Sequence, residues 1–511
     1  MSAAQSQPLP LPIEYVYRGF KLNPEAIAAT DDRETINYRE LQLRSEALAA
    51  ALTELATEPS RVALCAQNHI DHLVGFLAIL LAGHCWVPIN PKNGAQLNRQ
   101  LLQKSQPRLV LVDTESEATL ADYPAQRLYL RQSGAGSSQE LSAPYRDKEF
   151  SPARVKQDDI FGIKFTGGTT GEPKGVMQSH RNVAAVVENM QALFEFNNSD
   201  GNLAVAPLTH GGSHYILPLL AVGGRQVLLP QPDTDLIRQA FRDRGATVSF
   251  MPPTLIYKIM DCGEEAKSDF ANLRHLTYSA APMPPERISQ AIDFFGPKLS
   301  TVYGQTEAPM TITAMTASDM SQAQLQSSVG KACLYSEIAT VDQNGKHLSA
   351  GETGEIISRG DIVMAGYFEE AEKTADTIKD DWLYTGDLGY IDDKGYLFLQ
   401  GRAKELIISG GFNVYPAEVE NILSEIPGIN EAAVFSVADD YWGERVEAAI
   451  CVDDSFVLND GDLSQQLKAE LGAVKTPKSF HRLAQLPRNP VGKVVKREVK
   501  ALIYPGTYSN T

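Results

Sequence analysis

The chain reads as an α/β protein, with a large N-terminal domain of several subdomains and a small, mobile α+β domain at the C-terminal end. Three observations predict this. Short β-rich apolar runs alternate with amphipathic helical patterns over most of the chain. At 511 residues it exceeds what one hydrophobic core serves. Its texture also changes twice, to Gly-punctuated β runs from about Gln326 to Leu399 and to a βαβ-like tail beyond Gly401. The expected division is 1–401 and 402–511, with two α/β layers and a β-rich subdomain in the larger part.

In order, Arg61 to Cys65 reads as a strand, followed by a helix around His72 to Leu81 that Gly83 closes. His84 to Ile89 resumes as a strand and stops at the breaker Asn90-Pro91; Arg108 to Val112 is a further buried strand. Phe161 to Thr166 enters, and Val176 to Gln178 leaves, a Gly/Thr-rich loop, so that loop should cap a hairpin. Ser179 can cap a helix whose Val183, Val186, Val187 and Met190 recur at helical spacing. Strand Gln226 to Leu229, helix Asp235 to Phe241 and strand Ala246 to Phe250 follow. Then come strand Leu273 to Ser279, helix Pro285 to Phe294 and strand Leu299 to Tyr303. In the tail, helix Ala417 to Ser424 precedes strand Ala432 to Ser436.

Composition excludes several partners. With 63 acidic and 46 basic residues the net charge is −17, which argues against nucleic acid or an anionic membrane. An anionic substrate must then be held by a local positive site. The five cysteines include no C-x-x-C pair, as expected of reduced thiols in a cytoplasmic protein without a metal cluster. The first residues lack the basic and apolar regions of a signal peptide. The longest apolar run, Leu73 to Ala82, is too short to span a bilayer and suits a buried helix.

The strongest chemical signal is Phe165-Thr-Gly-Gly-Thr-Thr-Gly-Glu-Pro-Lys-Gly175. Glycines let backbone N–H groups approach phosphate oxygens, hydroxyls add donors, and Lys174 adds a mobile positive charge. It is not a Walker A loop, because Lys174 follows Pro173 and precedes Gly175. A Gly/Thr-rich turn alone is more often structural; the ordered string favours polyphosphate.

Other segments carry weaker signals. Tyr303-Gly-Gln-Thr-Glu307 lies at a strand end, where open α/β sheets place ligands. There Thr306 could donate to phosphate and Glu307 could hold Mg²⁺, or the segment could simply end the strand. Asp387, in a Gly-flanked turn, could accept both hydroxyls of a ribose or make an Asx turn. Arg402 lies beyond it, Gly410 and Gly411 permit close backbone approach, and Lys493 follows a glycine near the C-terminus.

Together and in this order, these segments resemble the adenylate-forming superfamily of acyl-CoA synthetases, peptide-synthetase adenylation domains and beetle luciferases. The resemblance runs from about Tyr38 to Lys496. It includes Leu80 to Pro91, Pro207-Leu-Thr-His210, Ser279-Ala-Ala-Pro282 and Gly351-Glu-Thr-Gly-Glu355. It implies two half-reactions: a carboxylate attacks the α-phosphate of Mg·ATP to give acyl-AMP and pyrophosphate, and a thiol then displaces AMP. The attack joins two anions, so positive charge must gather at the reacting centre.

By this resemblance Lys493 bridges carboxylate and α-phosphate. Lys174 with Thr166, Gly167, Gly168, Thr169, Thr170 and Gly171 holds the β- and γ-phosphates, and Glu307 takes magnesium. Asp387 receives the ribose, helped by Arg402. Ser279, Ala280, Ala281 and Pro282 form the adenine slot with Tyr303, which stacks on the base; Gly304, Gln305 and Thr306 continue the nucleotide site. His210 orients the carboxylate or gates the thiol, unless it is a packed histidine at a helix start. The small domain then swings about a hinge at Lys404, and Gly410 and Gly411 line a pantetheine tunnel that any side chain would obstruct. Trp442, in Tyr441-Trp-Gly-Glu444, stands near CoA or in a structural turn.

Two positions depart from the family pattern: Gly167 replaces a common Ser, and Val491 a common Ser or Thr. Neither removes a charge. The expected activity is an ATP-dependent acid:CoA ligase acting on an aryl or medium-chain monoacid. Alternatives are a ligase loading the pantetheine of a carrier protein, or a non-catalytic nucleotide-binding relative. The expected acyl-pocket walls are His210 to Tyr215, Leu255, Ser279, Gly304 and Ala308 to Met310. They offer no Arg or Lys for a second carboxylate.

Overall fold

The alternation of strands and helices folds into two large sheets. The computed structural model describes residues 8–120, 123–166, 173–453, 456–489 and 493–505. The first sheet has seven strands, in the order Gly366–Tyr367, Lys174–Ser179, Ile160–Thr166, Cys85–Pro88, Arg61–Cys65, Leu109–Val112, Gln126–Tyr129. From Ile160–Thr166 onward its pairs are parallel. Strands buried on both faces need continuous apolar runs, and all four residues of Leu109–Val112 are buried.

The second sheet has nine strands. Its central run Leu299–Gln305, His275–Tyr278, Val248–Met251, Gly201–Ala204, Arg225–Leu228, Ile27–Thr30 is parallel. Antiparallel strands close both edges: Thr35–Asn37 on one side, Ala308–Met315 and Lys331–Ala332 on the other.

Helices fill the space these sheets leave. Ile70–Leu81 is buried at every position but Asp71, as its unbroken apolar run requires. His69 caps its start by accepting from the His72 backbone N–H, and Gly83 ends it at φ +70°. His180–Phe194 starts at the predicted Ser179, in a reciprocal capping box with Asn182, and buries Val183, Val186, Val187 and Met190.

A third, antiparallel sheet holds Glu337–Val341, Gly354–Arg359, Trp382–Ile391, Ile378–Lys379 and Leu397–Arg402. The stretch from Gln326 to Leu399 is therefore not one β-rich unit. Lys331–Ala332 belongs to the nine-stranded sheet, and Gly366–Tyr367 pairs with Met177 and Val176 on the open edge of the loop hairpin. That hairpin edge offers unpaired backbone groups, which the Gly366 segment satisfies.

The chain leaves the third sheet at Arg402, makes the short turn Ala403–Glu405 and enters a fourth sheet at Ile407–Ser409. There Phe412–Val414, Ile407–Ser409, Gly443–Val452, Ile429–Asp439 and Phe480–Arg482 pack with helices Pro416–Glu425 and Asp460–Lys475 around Val434, Val446, Ile450 and Leu467. The result is a mixed α/β protein with a large N-terminal and a small C-terminal domain.

Candidate active site

The site lies where parallel strands of the nine-stranded sheet end, as open α/β architecture dictates. Leu299–Gln305 runs beside His275–Tyr278, so Tyr303 and Ser279 emerge from neighbouring carboxyl ends. Ser279 Oγ donates to the Val302 carbonyl at 2.7 Å, tying the two segments. Two non-glycine residues here adopt the left-handed region, Ala280 at φ +74° and Met310 at φ +60°. Such strain persists only where surrounding structure enforces it. Gly304 explains part of the enforcement: a Cβ there would lie 2.6 Å from the Met310 nitrogen.

Asp387 is the hub of the site. It is buried, and it pairs across the third sheet with Arg402, whose Nε reaches its Oδ1 at 2.7 Å. The Tyr303 hydroxyl donates to its Oδ2 at 2.6 Å. Burial raises the Asp387 carboxyl above the ordinary range, opposed by Arg402, Tyr303 and Lys493. A carboxylate offers about four lone-pair positions, so two remain for a diol.

Lys493 reaches this hub from the small domain. Its surface stays partly open to solvent, yet its ammonium is crowded by protein. Burial and Arg402 lower its pKa, while Asp387, Glu307 and Glu405 raise it. Its backbone N–H donates to Asn489 Oδ1 at 2.9 Å. Lys496, in the next turn, holds Glu405 at 3.0 Å and Glu420 at 2.8 Å, bracing the Lys493 segment against the turn after Arg402.

On the other side stand Glu307 and Lys174. Tyr367 joins them: its hydroxyl donates to Glu307 Oε1 at 2.8 Å, and Lys174 Nζ lies 4.9 Å from its ring centroid. Gln178 Nε2 donates to the Thr306 carbonyl at 2.9 Å, fixing the loop hairpin to the Tyr303 motif. The hairpin is as expected, with Thr166 opposite Lys174. Gly167, Gly168, Thr169, Thr170 and Gly171 lie outside the described residues, as does Val491. A second lysine, Lys104, holds the loop's far end by donating to the Pro173 carbonyl at 3.0 Å and pairing with Glu370. No motif announces Lys104; helix Ala95–Ser105 brings it there. Among the described residues, no group of three His, Cys, Asp or Glu forms a metal cage.

His210 precedes the short helical turn Gly211–Tyr215 and shares a hydrogen bond with Thr209 Oγ1 at 3.0 Å. Burial and then the charge of Lys164 lower its pKa to about 4, so it is neutral at neutral pH. Lys164 is not among the expected acyl-pocket walls, but it contacts two of them. It lies on Ile160–Thr166 and is 7 % exposed, with Nζ 3.2 Å from Ser213 Oγ and 3.1 Å from His214 Nε2. Within a strand run of apolar residues it reads as a face-alternating surface lysine. Its inward direction is set by the packing of Gly211–Tyr215 over that strand.

Gly410 and Gly411 form the turn between Ile407–Ser409 and Phe412–Val414 in the small domain. Gly410 has φ +57° and a Cβ there would lie 2.8 Å from the Trp442 ring; its N–H donates to the Trp442 carbonyl at 2.8 Å. Gly411 has φ +83° and open space beside it. In this arrangement its glycine answers a backbone requirement rather than a close neighbour. Lys404 is exposed in the turn Ala403–Glu405.

Known proteins share this fold and are similar in sequence. The AMP-binding enzyme family model matches residues 17–368, and the model of its C-terminal domain matches 418–493. The chain is 31% identical over 372 residues to a medium/long-chain-fatty-acid–CoA ligase of Mycobacterium tuberculosis, covering 71% of this chain and 65% of that protein, just under two thirds. It is 31% identical over 506 residues to an indoleacetate–CoA ligase of Aromatoleum aromaticum, covering 97% of this chain and 98% of the relative. The amide bond synthetase McbA of Marinactinospora thermotolerans superposes with a TM-score of 0.90 at 28% identity, covering 96% of this chain and 99% of that one. Sequence match and fold agree: the chain belongs to the AMP-binding, adenylate-forming enzyme family.

Proposed function

We propose that the protein is an ATP-dependent acid:CoA ligase that activates an aryl or medium-chain monoacid as acyl-AMP, releases pyrophosphate and passes the acyl group to CoA. The observation that carries this reading is buried Asp387, held by Arg402 and Tyr303, with Lys493 of the small domain in the field of Asp387 and Glu307. It puts a cation from one domain beside the carboxylates that suit a ribose and a phosphate-bound cation in the other. Asp387, oriented by Arg402 and Tyr303, accepts the ribose hydroxyls. Lys174 and the loop hold the terminal phosphates, and Ser279 to Pro282 with the Tyr303 ring enclose the base. Glu307, a single carboxylate oriented by Tyr367, fits Mg²⁺, which uses one or two carboxylates plus phosphate oxygens and would neutralise phosphate charge there. Neutral His210 orients the acid's carboxylate as a hydrogen-bond partner.

The domains divide at about 402, with Lys404 as hinge. Leu397–Arg402 is anchored to the large domain through Asp387, whereas Ile407–Ser409 belongs to the small one. The small domain exposes Ile408 at 54 %, Phe412 at 62 % and Tyr441 at 84 % around Gly410, Gly411 and Trp442. That apolar face suits docking against the large domain when thiol transfer follows. The relatives' names, for fatty-acid and indoleacetate ligases, support a free acid and CoA as substrates. No helix among the described residues is long and apolar enough to cross a membrane.

The test is pyrophosphate release from Mg·ATP with aryl, short-, medium- and long-chain acids, with CoA, with an amine, or with neither. Release requiring one acid class, with CoA consumed, is the expected result. Acid-dependent release indifferent to CoA would move the acceptor to a carrier pantetheine or an amine. Absence of release with every acid would overturn the reading.

A further inference from the structure

Lys164 is buried with no carboxylate partner among the described residues; its hydrogen-bond partners are Ser213 and His214. Burial lowers the Lys164 amine to about 7, so it stands here without a counter-charge as a buried hydrogen-bonding group whose capacity Ser213 and His214 do not exhaust. Beside it lies a cavity of about 20 Å³, lined also by Trp86, Gln178 and His214. Trp86 Nε1 and Gln178 Oε1 are both buried and without a hydrogen-bond partner. The residues lining one small space therefore include the Lys164 amine, an orphan donor and an orphan acceptor. The Trp86 ring is locked edge-on against Phe76 at 4.9 Å, so its N–H is held in place.

The cavity borders the reacting centre on two sides. Ser213 and His214 belong to the turn that begins at His210, and Ser213 Oγ donates to the His210 carbonyl at 2.7 Å. Gln178 is bonded through its other amide atom to Thr306. His214 keeps partial exposure.

We propose that this cavity is the far end of the acyl site and receives a single hydroxyl oxygen carried by the acid, remote from the reacting carboxyl. The inference rests on the acid-activating reading and names its substrate class. Size selects one oxygen, because the space suits about one water molecule and not a carboxylate. Chemistry selects a hydroxyl: it accepts from Lys164 or Trp86 and donates to Gln178 Oε1, whereas a ketone leaves Gln178 unpaired. A site built to hydrogen-bond a hydroxyl discriminates strongly against the analogue lacking it, because its buried polar groups are then left unpaired.

The experiment compares matched acids, octanoate with its terminal-hydroxy derivative and phenylpropanoate with its para-hydroxy derivative, by acid-dependent pyrophosphate release. The wild-type protein should prefer the hydroxylated member of at least one pair by about 10²-fold or more in kcat/KM. Lys164→Met should abolish that preference, bringing kcat/KM for the two members of the pair together. Burial holds the Lys164 amine at about 7, so the unfolded chain binds one more proton between about pH 7 and 10.5. Lys164→Met should therefore raise the thermal midpoint at pH 7, which checks that the variant folds. Equal kcat/KM within both pairs, or equal loss on both members in a folded Lys164→Met variant, overturns the inference while leaving acid activation standing. No release with any acid overturns acid activation and this inference with it.

Discussion

Lys493 illustrates how one residue type serves opposite ends of a reaction. Its charge helps only where two anions meet, and it is supplied by the domain that is expected to move. Replacing Lys493 with Ala should lower acyl-adenylate formation by roughly 10²–10³-fold, the scale set by loss of one donor to developing charge. Preformed acyl-AMP should still react with CoA at close to the wild-type rate. Pyrophosphate release and thioester formation, measured separately, check the split; equal losses in both would refute the domain alternation. Asp387 acts differently. Its two bonds, from Arg402 and Tyr303, fix the direction of its free lone pairs.

At the scale of the element, Gly304 near the end of strand Leu299–Gln305 sets how closely the Met310 segment packs beside the candidate nucleotide site. Gly304 lets the backbone of Met310 pass at a distance no side chain allows. Gly304→Ala should destabilise the protein by about 1–3 kcal/mol, as overpacking does, and weaken ATP binding. Thermal unfolding and calorimetric titration with ATP check both effects. The glycine turn Gly410–Gly411 makes the complementary case. With open space beside Gly411, Gly411→Trp should leave adenylation nearly intact but suppress thioester formation, provided that turn enters the pantetheine path. Normal thioester formation by this variant would falsify the tunnel assignment.

Over the whole molecule, buried neutral histidines couple the fold to pH. Burial holds His72, His180 and His210 each at about 4, against an ordinary value near 6.5. As pH falls through about 6.5 the unfolded chain takes up protons that the folded one refuses until about 4. Stability is therefore complete above about 6.5 and is lost between about 6.5 and 4. The thermal midpoint should be lower at pH 5 than at pH 7.5; an unchanged midpoint would remove these neutral assignments.

The amino-acid sequence by itself determined the alternating strands and helices, the capped helix at Ser179 and the hairpin beneath the Gly/Thr loop, and it singled out Lys174, Glu307, Asp387, Arg402 and Lys493 as candidates. These are legible because periodicity, caps and glycine-rich strings are local properties of the chain. Predicted bounds differ by a residue or two at frayed ends, as for Arg225–Leu228 and Val248–Met251. Tertiary structure decided the rest. Ala308–Met315 is a strand despite the break at Met310, because it pairs with Leu299–Gln305. Gly366–Tyr367 joins the loop hairpin across a long stretch of chain, and Lys104 reaches Pro173 from a helix without a motif. Lys164, ordinary in sequence, becomes a buried amine bonded to Ser213 and His214 once Gly211–Tyr215 packs over its strand. The physical reason is common to all four: each property belongs to a contact between distant segments, and desolvation, charge proximity and edge pairing come into being only when those segments meet.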